Sequence, residues 1–261
     1  MPNSSSHLRS ETKLIAARRK VAKRTVSQDS SRDHRSHLAV GKLAARVAHE
    51  INNPLAGIQN SFMLIKDAIP TDHIRYPYVA RIEREIDRIA RIVRQMVDLY
   101  RPEPQVAVEL FLQDTINEAV VHLRPNAEAK GVQISVVKPR QKTRIFIQNT
   151  WLRQVLLSLV QNAIDAAPSA YGQVELHTKV NVHNITIMIE DNGGGIDQEL
   201  LPHLFEPFFT TKHATDHSGA GLGLSVSKNL VNAMGGRIEV ESKPGVGSKF
   251  HLILPYPSIY G

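Results

Sequence analysis

The segment Ala48-His49-Glu50-Ile51-Asn52-Asn53-Pro54-Leu55 places an imidazole, a carboxylate and an amide in one helical stretch. At about 100° per residue, Val47 and Ile51 are expected to define the buried direction, and His49 falls about 180° from their midpoint, pointing to solvent. Asn53, one turn on, shares that face. An exposed imidazole can attack an electrophile through one ring nitrogen while the other holds its proton. A neighbouring carboxylate such as Glu50 can orient it. Pro54 removes a backbone donor and weakens the helix beside these groups. The chain has 12 histidines, so this segment alone reads as an ordinary surface histidine. Its meaning depends on the rest of the chain.

Three further segments have chemistry suited to a nucleotide. In Leu159 to Ala166, Asn162 lies with Ser158 and Asp165 in a polar strip beside an apolar helix face. An amide oxygen such as that of Asn162 suits Mg²⁺, a cation that prefers oxygen and keeps several waters. The run Glu190-Asp191-Asn192-Gly193-Gly194-Gly195-Ile196 follows a strand pattern. Its glycines allow a ligand close to the backbone. A buried Asp191 could accept a hydrogen bond from an adenine amino group. An ordinary loop after a strand has the same composition. Ser218-Gly219-Ala220-Gly221-Leu222-Gly223-Leu224-Ser225 opens a helix, where free N–H groups can cradle phosphates. Its glycines fall at every second position, so it is neither the dinucleotide fingerprint nor a P-loop. Between the last two lies Leu204 to Lys212, read as a lid with Phe205 and Phe208 as apolar anchors and Lys212 near the phosphates.

The elements that must hold these groups are legible. Leu43, Val47, Ile51, Leu55, Ile58, Phe62, Ile65 and Ile69 form one stripe of threes and fours. Tyr78, Ile82, Ile86, Ile89, Val93, Met96 and Tyr100 form a second. Pro70 and Thr71 separate them, which predicts an antiparallel helical hairpin with a short turn. One hairpin cannot bury both stripes, so a homodimeric four-helix bundle is expected. Arg101-Pro102-Glu103-Pro104 reads as a linker. Beyond it, strands are expected over Val132–Val136, Arg144–Ile147, Val174–Val180, Ile185–Glu190, Arg237–Glu241 and Lys249–Leu254. Helices are expected over Trp151–Ala167, capped by Asn149 or Thr150, and over Leu222–Met234, ended by Gly235-Gly236. The fold class is thus α+β: a helical hairpin over 38–101, then an α/β sandwich with one sheet over 106–257.

Composition narrows the setting. Of 261 residues 42% are apolar, enough for a core, and there is no cysteine, which excludes disulfides and thiolate metal sites. No apolar run approaches a membrane span and no leader pattern opens the chain, so a cytoplasmic protein is expected. The net charge of +7 sits mainly in residues 1–37, which carry nine Lys/Arg against three Asp/Glu. That basic arm reads as a solvated, disordered tail, with nucleic acid an unlikely partner.

Taken in order, these segments resemble the H, N, G1, F and G2 boxes of sensor histidine kinases, and Pro244 to Phe250 resembles their last glycine motif. The resemblance covers about residues 38–257, and Ala48 to Leu55 looks most like the nitrogen-regulation type. It implies a phosphotransfer hairpin joined to an ATP-binding domain of the Bergerat (GHKL) type. It implies His49 as phosphoacceptor, Glu50 as its acid–base partner, Asn162 as Mg²⁺ ligand and Asp191 on adenine. Gly193, Gly195, Gly219, Gly221, Leu222 and Gly223 would shape the nucleotide loops. Asn53 matches a position that supports phosphatase activity toward the partner. That partner is a response regulator, phosphorylated on aspartate. With only the basic arm ahead of the hairpin, a separate sensory protein is one expected source of the signal. Ser158 stands where many members have asparagine, and where ATPases of the same fold have the glutamate that activates water. The serine argues against hydrolysis. It also keeps open a dimeric scaffold that binds nucleotide without kinase activity. Asp165 departs from the basic or aromatic residue common there.

Overall fold

A computed structural model describes residues 47–100, 105–137, 142–211 and 220–256. The basic arm, the Arg101–Pro104 linker, Lys212 and Gly219 lie outside the described residues.

The hairpin consists of α1 (47–66) and α2 (Pro77–Tyr100). Each helix carries a buried and an exposed series with a seven-residue repeat, and the buried series takes in Ala48 and Val79, which the expected stripes left out. Ala48, Leu55 and Phe62 of α1 and Val79, Ile86 and Val93 of α2 are buried. Leu55, Phe62, Val79 and Ile86 form one cluster, closed by Ile69, Tyr76 and Ala90. Ile51, Ile58 and Ile65 of α1 and Ile82 and Ile89 of α2 remain exposed. Ile51 therefore does not belong to the hairpin's inner face. The connection, 67–76, is longer than the short turn expected. Two i→i−3 bonds tighten the exit of α1, from Ala68 N–H to Ile65 O and from Ile69 N–H to Lys66 O. Lys66 Nζ then bridges to Glu83 Oε1 on α2 at 2.9 Å.

The second part contains two sheets, not the single sheet expected. A five-stranded sheet has the order β2-β4-β5-β7-β6. Its strands are β2 (Val132–Val136), β4 (Gly172–Val180), β5 (Asn184–Asp191), β6 (Arg237–Lys243) and β7 (Gly247–Pro255). Only β2 and β4 pair in parallel. A separate ladder joins β1 (Val108–Phe111) to β3 (Arg144–Ile147). Helices α3 (Leu112–Lys130), α4 (Asn149–Ala166) and α5 (Gly223–Ala233) contribute to one core with the five-stranded sheet. Leu112, Ile116, Leu152, Leu156, Leu159, Leu176, Ile187, Ile189 and Leu252 are fully buried there.

β1 and α3 have no counterpart among the elements expected from sequence. Pro125, inside α3, costs that helix a backbone donor. α4 begins at Asn149 with Gln148 as N-cap and no side-chain cap, so neither proposed residue caps it. Asn149 instead accepts a hydrogen bond from Thr115 Oγ1 of α3 at 3.1 Å.

The end of α2 joins this second core. Ile92 and Met96 pack against it and Leu99 belongs to it. Asn229 Nδ2 of α5 donates to Leu99 O at 2.7 Å, and Gln154 Nε2 of α4 donates to Asp98 Oδ2 at 2.9 Å.

Candidate functional site

Strand periodicity explains where Asp191 sits. In β5, Ile185, Ile187 and Ile189 face the core, and the next residue in phase is Asp191. The strand therefore directs a carboxylate, only 4% exposed, to the buried side. Its Oδ1 accepts the Gly193 N–H at 2.8 Å. Burial pushes the Asp191 carboxyl above its ordinary value. The N–H groups of Gly193 and Ser248 pull it back, and neighbouring Glu190 adds to the rise.

Helix α4 is the common spine of the site. Its apolar face buries Leu152, Val155, Leu156, Leu159, Val160, Ala163 and Ile164, leaving Ser158 and Asn162 half-buried at its edge. At one end, a Cβ on Gly223 would stand 2.9 Å from Ser158 Oγ, so the start of α5 approaches α4 there. At the other, a Cβ on Gly193 would stand 2.5 Å from Ala166 O, so the Asp191 loop abuts the last turn. Asn162 lies between, one turn from each neighbour. Residues 158 to 166 span on the order of 12 Å at about 1.5 Å per residue. Among the described residues no hydrogen bond engages the Asn162 amide, and no group of three His, Asp or Glu side chains could hold a metal. A hard cation here would rest on an amide oxygen and on phosphates brought by a ligand.

The glycine loop opens directly into α5. Gly221 has φ +70°, and a Cβ there would lie 2.6 Å from Phe208 C and Phe209 O. Phe208 N–H donates to Gly221 O at 3.0 Å. Leu222 is fully buried and acts as the N-cap residue, and α5 starts at Gly223. Its first N–H groups have no partner within the helix, which favours an anion. In the lid segment Leu204 is buried and Phe205 half-buried under Lys228 Nζ, 5.2 Å from the ring centroid. Phe208 is 56% exposed, so it does not act as an apolar anchor in this arrangement. Leu204 takes that place.

His49, Glu50 and Asn53 all lie on exposed positions of α1. Asp191, Gly193, Asn162, Gly221, Leu222 and Gly223 converge along α4, and Gly195 seats its loop against the β6–β7 turn, near Lys243 O. The Gly245 N–H donates to Gly194 O at 2.7 Å across the same junction. Sequence reasoning missed Asn192. Its Nδ2 donates to Tyr171 O at 3.1 Å and its Oδ1 accepts Gln173 N–H at 2.8 Å, tying the Asp191 loop to the start of β4. A side chain able to donate and accept, beside Asp191, was the available signal.

The arrangement fits an adenine nucleotide. A buried acceptor stands at one end of α4, a helix N-terminus with a glycine approach at the other, and the Asn162 amide between.

Comparison with known proteins agrees. Residues 147–258 match the family described as "Histidine kinase-, DNA gyrase B-, and HSP90-like ATPase". Residues 39–105 match the "His Kinase A (phospho-acceptor) domain". The chain is 35% identical over 217 residues to the signal transduction histidine-protein kinase AtoS of Escherichia coli (strain K12), covering 83% of this chain and 35% of AtoS. It is 32% identical over 238 residues to the sensor histidine kinase ZraS of the same strain, covering 91% of this chain and 50% of ZraS. The chain thus spans half or less of these relatives. Among solved structures, histidine kinase ThkA in complex with response regulator protein TrrA aligns with a TM-score of 0.63 and 26% identity, over 88% of this chain and 66% of that one.

Proposed function

We propose that this chain, which belongs to the sensor histidine kinases, uses ATP to phosphorylate its own His49 and passes the phosphoryl group to an aspartate of a response regulator. The observation that carries this reading is the pairing, in one chain, of an exposed histidine on a helical hairpin with the nucleotide-shaped run along α4.

Bound MgATP supplies the phosphoryl group, with the cation neutralising its charge. Asp191 accepts a hydrogen bond from the adenine amino group, and Asn162 offers its amide oxygen to Mg²⁺. Gly221, Leu222 and Gly223 let the N–H groups of α5 approach the phosphates. The roles expected of Lys212, near the phosphates, and of Gly219, in the glycine loop, concern positions outside the described residues. His49 presents one ring nitrogen, and Glu50 holds the proton on the other. Asn53, on the same face of α1, orients water for the reverse task of dephosphorylating the regulator.

The open series Ile51, Ile58, Ile65, Ile82 and Ile89 supports a homodimeric four-helix bundle. Response-regulator docking is supported by ThkA, which is seen in complex with TrrA. Among the described residues no helix is long and apolar enough to cross a membrane.

Ser158 favours a second reading, a dimer that binds nucleotide and signals by shape alone. One experiment separates the two: incubation with ATP labelled on the γ-phosphate, alongside His49→Gln. Acid-labile, base-stable label on the wild type only is expected. Label persisting on the variant removes His49 as acceptor, and nucleotide binding without label on either leaves the scaffold.

A further inference from the structure

We infer that Lys130 is a positioning residue for the nucleotide site, acting through the last turn of α4. This rests on the nucleotide reading above. The last four carbonyls of a helix have no partner within it. In α4 these belong to Ala163, Ile164, Asp165 and Ala166. Ala163 O accepts the Ala167 N–H at 2.9 Å. Lys130 Nζ donates to the next two, Ile164 O at 2.9 Å and Asp165 O at 2.6 Å. The fourth, Ala166 O, is the atom against which Gly193 is seated. One ammonium group therefore closes the turn whose final carbonyl meets the Asp191 loop.

Charge and geometry agree. A cation at a helix C-terminus opposes the negative end of the dipole. Lys130 is itself the last residue of α3. Gly131, at φ 72°, ends that helix with its N–H on Ala127 O and Glu128 O, which fixes where the lysine stem begins. From the other side, Asn192 ties the Asp191 loop to Tyr171 and Gln173. The loop is thus gripped between the end of α4 and the start of β4. Without the Lys130 donors, two carbonyls turn to water, the last turn loosens, and Gly193 loses its seat. Asp191 then no longer holds its aim relative to Asn162, one turn back along the same helix. Lys130 never touches the nucleotide.

The test uses the full chain and ADP as probe, titrated calorimetrically well below the unfolding temperature. Lys130→Met keeps the stem and removes the donors; Lys130→Arg keeps a cation that can reach two carbonyls. Lys130→Gln is carried alongside, in case the methionine variant fails to fold. Loss of the charged donors is expected to weaken ADP binding by about three- to tenfold, with the arginine variant within about twofold of wild type. Wild-type affinity in the methionine and glutamine variants, with the damage confined to their unfolding temperature, would overturn the inference. A wild-type chain that binds no ADP would instead overturn the nucleotide reading itself.

Discussion

Gly193→Ala tests the site at its tightest contact. The added methyl carbon would lie 2.5 Å from Ala166 O, 2.6 Å from Asp191 Oδ1 and 2.8 Å from Ala166 C. Cβ atoms essentially never come within 3.0 Å of such neighbours. The loop must therefore move off the end of α4 by about half an ångström or more, stretching the 2.8 Å bond from Gly193 N–H to Asp191. Overpacking of this kind costs about 1–3 kcal/mol. In a chain of this size each kcal/mol lowers the midpoint by about 2–4 °C. The next residue supplies the control. A Cβ on Gly194 meets nothing within 4 Å, and its φ is not positive, so Gly194→Ala should stay within about 0.5 kcal/mol of wild type. Urea unfolding and ADP titration of both variants measure the difference. If Gly193→Ala is as stable as Gly194→Ala and binds ADP as well, then the loop is not seated on α4 and the reasoning fails.

Asp191→Asn should separate stability from function. The carboxyl is raised by burial, so the stability of its neutral form is fully present below the ordinary carboxylate range and is lost as pH rises through the elevated value. The asparagine variant should equal or exceed wild type in unfolding free energy at pH 7, with the difference shrinking in acid, yet lose ADP binding. Wild-type ADP affinity would remove Asp191 from the adenine site. Asn53→Ala should leave autophosphorylation intact and slow dephosphorylation of the regulator by about tenfold, the loss of one water-orienting hydrogen bond worth about 1.4 kcal/mol. An unchanged dephosphorylation rate excludes that role. Ile58→Glu, on the open series of α1, should yield monomers by sedimentation while ADP binding persists; a dimer surviving the charge would place the interface elsewhere.

The strands and helices that carry the candidate residues were more legible in the sequence than the elements that support them. His49 is exposed as expected, although the reference direction was wrong: Ala48 is buried and Ile51 is exposed, because a helical wheel does not say which stripe a neighbour covers. The strand ending at Asp191 was visible from the alternation of Ile185, Ile187 and Ile189. What spacing could not show was which half of an apolar stripe pairs within the chain. Ile51 and Leu55 look alike in sequence, yet only Leu55 meets α2. Phe208 failed as an anchor for a related reason: hydrophobicity says a ring prefers burial, not whether the backbone allows it. Here φ is +66°, and the ring is left outside. Helix α3 was hidden by Pro125 and by polar residues whose partners are distant in sequence, such as Thr115 on Asn149 and Asn126 on Gln161.

The docked end of α2 bears on where one domain stops. By sequence the natural place to cut is the proline-rich break at 101–104. In space the hydrophobic core runs straight past it, because Ile92, Met96 and Leu99 pack with the nucleotide domain, and Asn229 and Gln154 fasten Leu99 and Asp98 by hydrogen bonds. A fragment beginning after the break would leave the surfaces of α4 and α5 that face these residues open to water. The final turn of α2 thus belongs to two units: by chain it completes the hairpin, and by packing it closes the nucleotide domain.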